Sequence, residues 1–206
     1  EWNKATNLDP YNALTHNNLG TALDGMGRLG EAITEYGKAV DLNPNNFVAH
    51  YNLGSAHYRK GELERSIEEY RKVTVLNPKF APAYYNLGNG YFKLGKLDSA
   101  IEEWQKALIL NPQFAEVLYN LGNAYLSLGD PKMAVASYDA ALKLEPAAVP
   151  ALVNKAMAYA QLGESNKAGE LLQKALEVAP GNAAANFNMG LLKAEQEDMK
   201  GAERYL

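Results

Sequence analysis

The stretch from Ala115 to Pro146, AEVLYNLGNAYLSLGDPKMAVASYDAALKLEP, decides how the rest of the chain is read. It holds two amphipathic helical patterns separated by Gly129-Asp130-Pro131, and it closes on a proline. The closing proline recurs as Pro10, Pro44, Pro78, Pro112, Pro146 and Pro180, each step being 34 residues. A fixed period of that size marks an array of helix-turn-helix repeats. Other landmarks keep the same step. Leu-Gly stands at Leu19-Gly20, Leu53-Gly54, Leu87-Gly88 and Leu121-Gly122, with Met189-Gly190 close to it and Lys155-Ala156 departing from it. Further along each unit come the small residues Ala32, Ser66, Ala100, Ala134, Ala168 and Ala202.

Within a unit the first helix reads easily. Over Phe47 to Lys60, the residues His50, Leu53, Gly54 and His57 share one face at helical spacing. A glycine follows at Gly27, Gly61, Gly95, Gly129 and Gly163, where tolerance of positive φ ends a helix. The second helix buries Leu63, Ser66, Ile67, Tyr70 and Val73, and Pro78 stops it. Asp130-Pro131 is an N-cap and first-turn pair. Gly54 and Ser66 let the two helices approach, and Tyr70 fills the space beside them.

On these residues the chain resembles the tetratricopeptide repeat (TPR) family over essentially its whole length. The resemblance implies an all-α fold, a right-handed superhelix of antiparallel helix pairs, that is, an α-solenoid. Residues 13–46, 47–80, 81–114, 115–148 and 149–182 are expected as full repeats. Residues 1–12 read as the end of a second helix, and 183–206 as a repeat cut short in its second helix. Trp2 aligns with Tyr36, Tyr70, Trp104 and Tyr138, the large aromatic of each second helix. The sequence thus reads as a piece of a longer array. Trp2, Leu8, Met199 and Leu206 lack a full set of neighbours, which makes homo-oligomers through uncapped ends one expectation.

Bulk properties narrow the function. The 206 residues are 47% hydrophobic and 21% charged, ordinary soluble globular material with a cytoplasmic location as the expectation. A net charge of -4 supplies no basic footprint for nucleic acid. No apolar run approaches the ~18 residues of a membrane span. The absence of cysteine removes disulfides and thiolate metal sites.

Three constellations were weighed for chemistry. Gly90-Tyr91-Phe92-Lys93-Leu94-Gly95-Lys96 carries the letters of a phosphate-binding loop, but Leu97 stands where Ser or Thr would hold a metal, and the segment spans a helix end. His16, His50 and His57 occupy packing positions, His50 and His57 on one helix face, with no third ligand in register. Glu68-Glu69 and Glu102-Glu103, with Lys72 and Lys106 following, read as solvated faces with helical ion pairs. No catalytic set emerges, so neither an enzyme nor a cofactor is expected.

The informative feature is a column of asparagines, Asn18, Asn52, Asn86, Asn120, Asn154 and Asn188, one per repeat. Asparagine is a mediocre helix former, costing up to ~0.7 kcal/mol against alanine, so its recurrence asks for a reason. In TPR proteins this place faces the concave groove, and the column is similar to the asparagine ladder of the TPR region in O-linked N-acetylglucosamine transferases. Stacked repeats would then present amides able to pair with the backbone of an extended peptide. The plainer alternative is that the amides bond neighbouring helices. Tyr51, Tyr85, Tyr119 and Phe187 precede the asparagines, and Tyr58, Phe92, Asn89 and Asn123 lie further along the same helices. Amides with aromatics make a groove suited to peptide segments. The residues before the ladder, Asn17, Tyr51, Tyr85, Tyr119, Val153 and Phe187, include no lysine, so a receptor for chaperone C-terminal tails is not expected. The expected function is therefore a non-catalytic protein-interaction scaffold. Its rivals are a substrate-recruiting region of a larger enzyme, such as a protein glycosyltransferase, and a self-assembling structural scaffold.

Overall fold

The computed structural model describes residues 9, 11–195, 201, 202 and 205. Trp2, Leu8, Pro10, Met199 and Leu206 lie outside the described residues, and so do the expectations placed on them. The chain divides into two compact units, Glu1–Pro112 and Gln113–Leu206. The first contains α1 (Ala13–Gly25), α2 (Leu29–Leu42), α3 (Phe47–Lys60), α4 (Leu63–Leu76), α5 (Ala81–Lys93) and α6 (Leu97–Leu110). The second contains α7 (Ala115–Ser127), α8 (Pro131–Leu144), α9 (Val149–Gln161), α10 (Ser165–Val178) and α11 (Ala183–Glu195). Every element among the described residues is helical.

Each first helix pairs with the second helix that follows it: α1 with α2, α3 with α4, α5 with α6, α7 with α8 and α9 with α10. Second helices then pack on the next first helix, as α2 does on α3, α4 on α5, α8 on α9 and α10 on α11. First helices also touch in a row, α1–α3–α5 in one unit and α7–α9–α11 in the other. Local chemistry sets the boundaries. Second helices stop at a residue forced extended by the proline after it. Asn43 lies at φ −140°, Asn77 at −138° and Asn111 at −138°. First helices close on Gly61 at φ 84°, with Glu62 N donating to His57 O at 2.9 Å, a left-handed cap that a side-chain-bearing residue would strain. Asn12, Asn46, Asp130 and Asn182 cap helix starts with their side-chain oxygens.

The core is built on one recurrent exchange of volume. An added Cβ at Gly20 would meet Tyr36 at 2.7 Å, at Gly54 Tyr70 at 3.1 Å, at Gly88 Trp104 at 2.3 Å and at Gly122 Tyr138 at 2.3 Å. The aromatic ring of each second helix lies directly on the glycine of its partner helix. The fifth repeat explains its own departure: Ala156 replaces the glycine, Leu172 replaces the ring, and both are buried. One side chain shrank where the other grew. Ser66 is the polar exception in the small-residue column, and its Oγ is buried with no hydrogen bond of ordinary geometry among the described residues. Ser66→Ala is therefore expected to raise stability by about 1 kcal/mol, read from urea unfolding, because an unsatisfied buried hydroxyl costs more than it returns.

Candidate functional site

The asparagine column lies on the first helices, half-buried at each described rung. Three rungs reach back by 35 residues to the residue preceding the previous rung. Asn52 Nδ2 donates to Asn17 Oδ1 at 3.0 Å, Asn86 Nδ2 to Tyr51 Oη at 3.1 Å and Asn154 Nδ2 to Tyr119 Oη at 3.1 Å. Asn154 Nδ2 also donates to Asn123 Oδ1 at 2.8 Å. The amide nitrogens therefore tie successive first helices together. Asn188 Nδ2 instead donates to Ala184 O at 2.8 Å within α11. Asn18 and Asn120 stand half-buried on α1 and α7. The bonds of Asn52, Asn86 and Asn154 use Nδ2, so the carbonyl oxygen Oδ1 is the atom each of these rungs still offers as an acceptor.

The same step of one repeat plus one residue recurs across this face. Arg59 pairs with Asp24, and Lys93 Nζ sits 4.3 Å from the centroid of the Tyr58 ring. Two tyrosines before the rungs lean on second-helix rings, Tyr51 at 5.6 Å from Tyr70 and Tyr119 at 6.0 Å from Tyr138, and Tyr51 also lies 5.2 Å from Phe80 at the start of α5. Phe92 packs 5.6 Å from Trp104, whereas Phe187 is 55% exposed.

A second column ties polar groups of the first helices to the aromatic core. Tyr36 Oη donates to Thr21 Oγ1 at 3.3 Å, and Tyr70 Oη bonds Ser55 Oγ at 2.9 Å. Trp104 Nε1 donates to Asn89 Oδ1 at 3.2 Å and to Tyr85 O at 3.1 Å, and Tyr138 Oη donates to Asn123 Oδ1 at 2.7 Å. The side-chain partners are 15 residues apart in each case. Burial pushes the Tyr36, Tyr70 and Tyr138 hydroxyls up from their ordinary pKa, so they act as donors and acceptors and not as charges. Asn89 and Asn123, expected from the sequence at a peptide groove, each give their Oδ1 to this tie. The signal was present: a polar residue accompanies every ring, and Met157 accompanies Leu172 where the ring is absent.

The histidines are buried at packing positions as expected, and they account for one carboxylate that needs correction. Glu69, read as solvated, is only 8% exposed, because His50 Nδ1 donates to its Oε2 at 2.5 Å. His50 Nε2 lies 2.9 Å from Pro44 O, so both ring nitrogens face acceptors. His16 Nδ1 donates to Glu35 Oε2 and His57 Nδ1 to Glu62 Oε2, each at 2.6 Å. Burial opposes the charge of Glu35, but hydrogen bonds from Lys38 and His16 outweigh it and hold its carboxyl below the ordinary range. Hydrogen bonds from Lys60 and His57 hold Glu62 at about 2. A linear sequence hides the His16–Glu35 and His50–Glu69 pairs, since a second-helix carboxylate meets a first-helix histidine 19 residues away only after the helices fold together. These groups are spread through the packing layers. Among the described residues no cluster of three His, Cys, Asp or Glu could hold a metal ion. The loop-like letters Gly90 to Lys96 likewise lie in structure: Gly90 is buried in α5 against Ile67, Gly95 is the turn at φ +72°, and Lys96 precedes α6. Among the described residues no helix is long and apolar enough to cross a membrane.

With this geometry in view, comparison with known proteins fixes the class. Family models described as TPR repeat match residues 25–61, 56–95 and 88–129, and models described as tetratricopeptide repeat match 115–147 and 149–182. The chain belongs to the tetratricopeptide repeat family, a class of α-solenoids. Among solved structures, one of MamA is 30% identical, has a TM-score of 0.76 and aligns over 80% of this chain and 96% of its own. A second MamA structure is 29% identical with a TM-score of 0.78, covering 83% and 93%. YrrB, described as a TPR protein with an unusual peptide-binding site, shares the fold at 24% identity and a TM-score of 0.78, over 95% and 97%. No curated protein matches the sequence.

Proposed function

We propose that this chain is a non-catalytic protein-interaction scaffold that captures extended segments of a partner on the first-helix faces of its units. What carries the reading is the recurrence of half-buried asparagines with aromatics beside them, on a fold that in YrrB carries a peptide-binding site. The asparagines do two jobs. Their nitrogens hold first helices together, and their Oδ1 atoms accept hydrogen bonds from backbone N–H groups of the captured segment, regardless of its side chains. Tyr51, Tyr85, Tyr119 and Phe187, with Tyr58 and Phe92, supply apolar area around the amides. Asn123, its Oδ1 turned to the core, contributes an Nδ2 donor to peptide carbonyls, and Asn89 holds the aligned place one repeat earlier.

The test must separate the two jobs. Partners captured by the chain from its source lysate are compared with those captured by the Asn86→Ala, Asn120→Ala, Asn154→Ala triple variant and by Tyr51→Phe with Tyr119→Phe. The tyrosine changes remove the hydroxyl acceptors of Asn86 and Asn154 and leave the Oδ1 column intact, Asn154 keeping its bond to Asn123 Oδ1. Expected is capture retained by the tyrosine variant and lost by the asparagine variant, with helicity by circular dichroism preserved in both. Equal capture by all three proteins defeats the proposed role of the column.

A further inference from the structure

The fifth repeat contains a cavity that the other repeats fill. Its volume is about 170 Å³, and its walls include Ala156, Met157, Ala160, Leu172, Leu191 and Leu192. In the four preceding repeats the place of Leu172 belongs to Tyr36, Tyr70, Trp104 or Tyr138, and each of those rings reaches the residue aligned with Met157. The cavity is therefore the volume that the missing ring leaves between α9, α10 and α11. Ala160 adds to it, because Tyr58, Phe92 and Leu126 stand at the aligned place in the three preceding repeats. Leu172 cannot fill the space, and Ala156 takes up only the part next to the helix axis. Met157 is 40% exposed and Leu191 44%, so the cavity opens on the first-helix face, where Asn188 of the ladder also lines it.

We propose that this cavity is a socket for one phenylalanine side chain of the captured segment. Two observations choose the occupant. The space is the one that a six-membered ring occupies elsewhere in this chain, and apolar cavities of about 150 Å³ take up benzene. Where the Tyr70 and Tyr138 hydroxyls meet Ser55 and Asn123, this repeat has Met157, which cannot replace them as partner, so an unsubstituted ring is favoured; the polar lining groups, Gln161, Asn188 and Glu195, are exposed or half-buried. Met157 is also the residue type best able to adjust to a ring that arrives from outside. The socket gives side-chain preference to a face whose amides read only backbone. It rests on the peptide-binding reading above, and its test is independent of any natural partner.

The probe is N-acetyl-L-phenylalaninamide, with N-acetyl-L-alaninamide as control, titrated into protein carrying ¹³C-methyl labels at methionine and leucine. Expected are saturable shifts at Met157, Leu191 and Leu192 with the phenylalanine probe, absent with the alanine probe and absent at the exposed Met26 and Met133. Ala160→Phe should weaken the probe by about tenfold or more, the scale of occluding an apolar subsite. The double variant Ala156→Gly, Leu172→Tyr rebuilds the glycine-and-ring pair of the other repeats and should abolish the shifts; it keeps the test decisive if Ala160→Phe does not fold. The socket is refuted if the phenylalanine probe gives no saturable shift at those methyls, or if the double variant binds it as well as the parent. Failure of the asparagine test with a positive titration would sink the groove amides and keep the socket, and the reverse pair of results would do the opposite.

Discussion

Trp104→Ala is expected to lower the unfolding free energy by about 3–5 kcal/mol, the range for deleting a large buried aromatic. Trp104 is 1% exposed, lies against Gly88 and Phe92, and donates through Nε1 to Tyr85 O and Asn89 Oδ1. Its removal leaves a cavity and strands a side-chain acceptor. The same contact makes a second substitution change sign. In the parent, Gly88→Ala drives a Cβ to 2.3 Å from the indole nitrogen, in a core with no room for the ring to retreat. Such overpacking costs about 1–3 kcal/mol. In the Trp104→Ala background the obstacle is gone, and alanine should stabilise α5 by about 0.8–1 kcal/mol through helix propensity. Urea unfolding of the four proteins in a double-mutant cycle reads the sign reversal. If Gly88→Ala has the same effect in both backgrounds, the glycine-and-ring contact is not what holds α5 to α6.

The second large effect concerns the buried pair of His50 and Glu69. Glu69→Leu should cost about 3 kcal/mol, because it removes one partner of a buried bond and leaves His50 Nδ1 without its acceptor. His50→Leu combined with Glu69→Leu should return most of that loss, since well-packed apolar residues often replace a buried pair at no cost. The chain already contains the apolar version. The places of His50 and Glu69 are taken by Leu152 and Leu171 in the fifth repeat, where Leu152 is buried. Urea unfolding again supplies the comparison. A double variant no more stable than Glu69→Leu alone would mean that the pair carries specific structure that packing cannot replace.

Much of this protein was legible before any coordinates. The prolines end second helices because the residue before a proline is held extended, as Asn43, Asn77 and Asn111 are, and that effect acts within two residues. The turn glycines likewise act locally, through a φ that other residues reach at a cost. A repeating sequence multiplies such local rules, so the helices and their pairing could be read from one unit and carried to the next. The asparagine column was visible for the same reason, but its hydrogen-bond economy was not.

The direction in which an amide spends its nitrogen depends on a neighbour 35 residues away, Tyr51 for Asn86 and Tyr119 for Asn154. The burial of Glu69 depends on His50, 19 residues back on another helix. The exchange of Gly and ring for Ala156 and Leu172 was printed in the sequence as a departure from pattern, yet only packing shows that the trade leaves a cavity. By itself, then, the sequence determined the repeat, the helix boundaries and the residue types on the first-helix face, because backbone conformational preferences and side-chain periodicity act over a few residues. Only the tertiary structure decided which polar atoms are spent on the core, which bond across repeats and where volume is missing, because those follow from atoms brought within a few ångströms by folding.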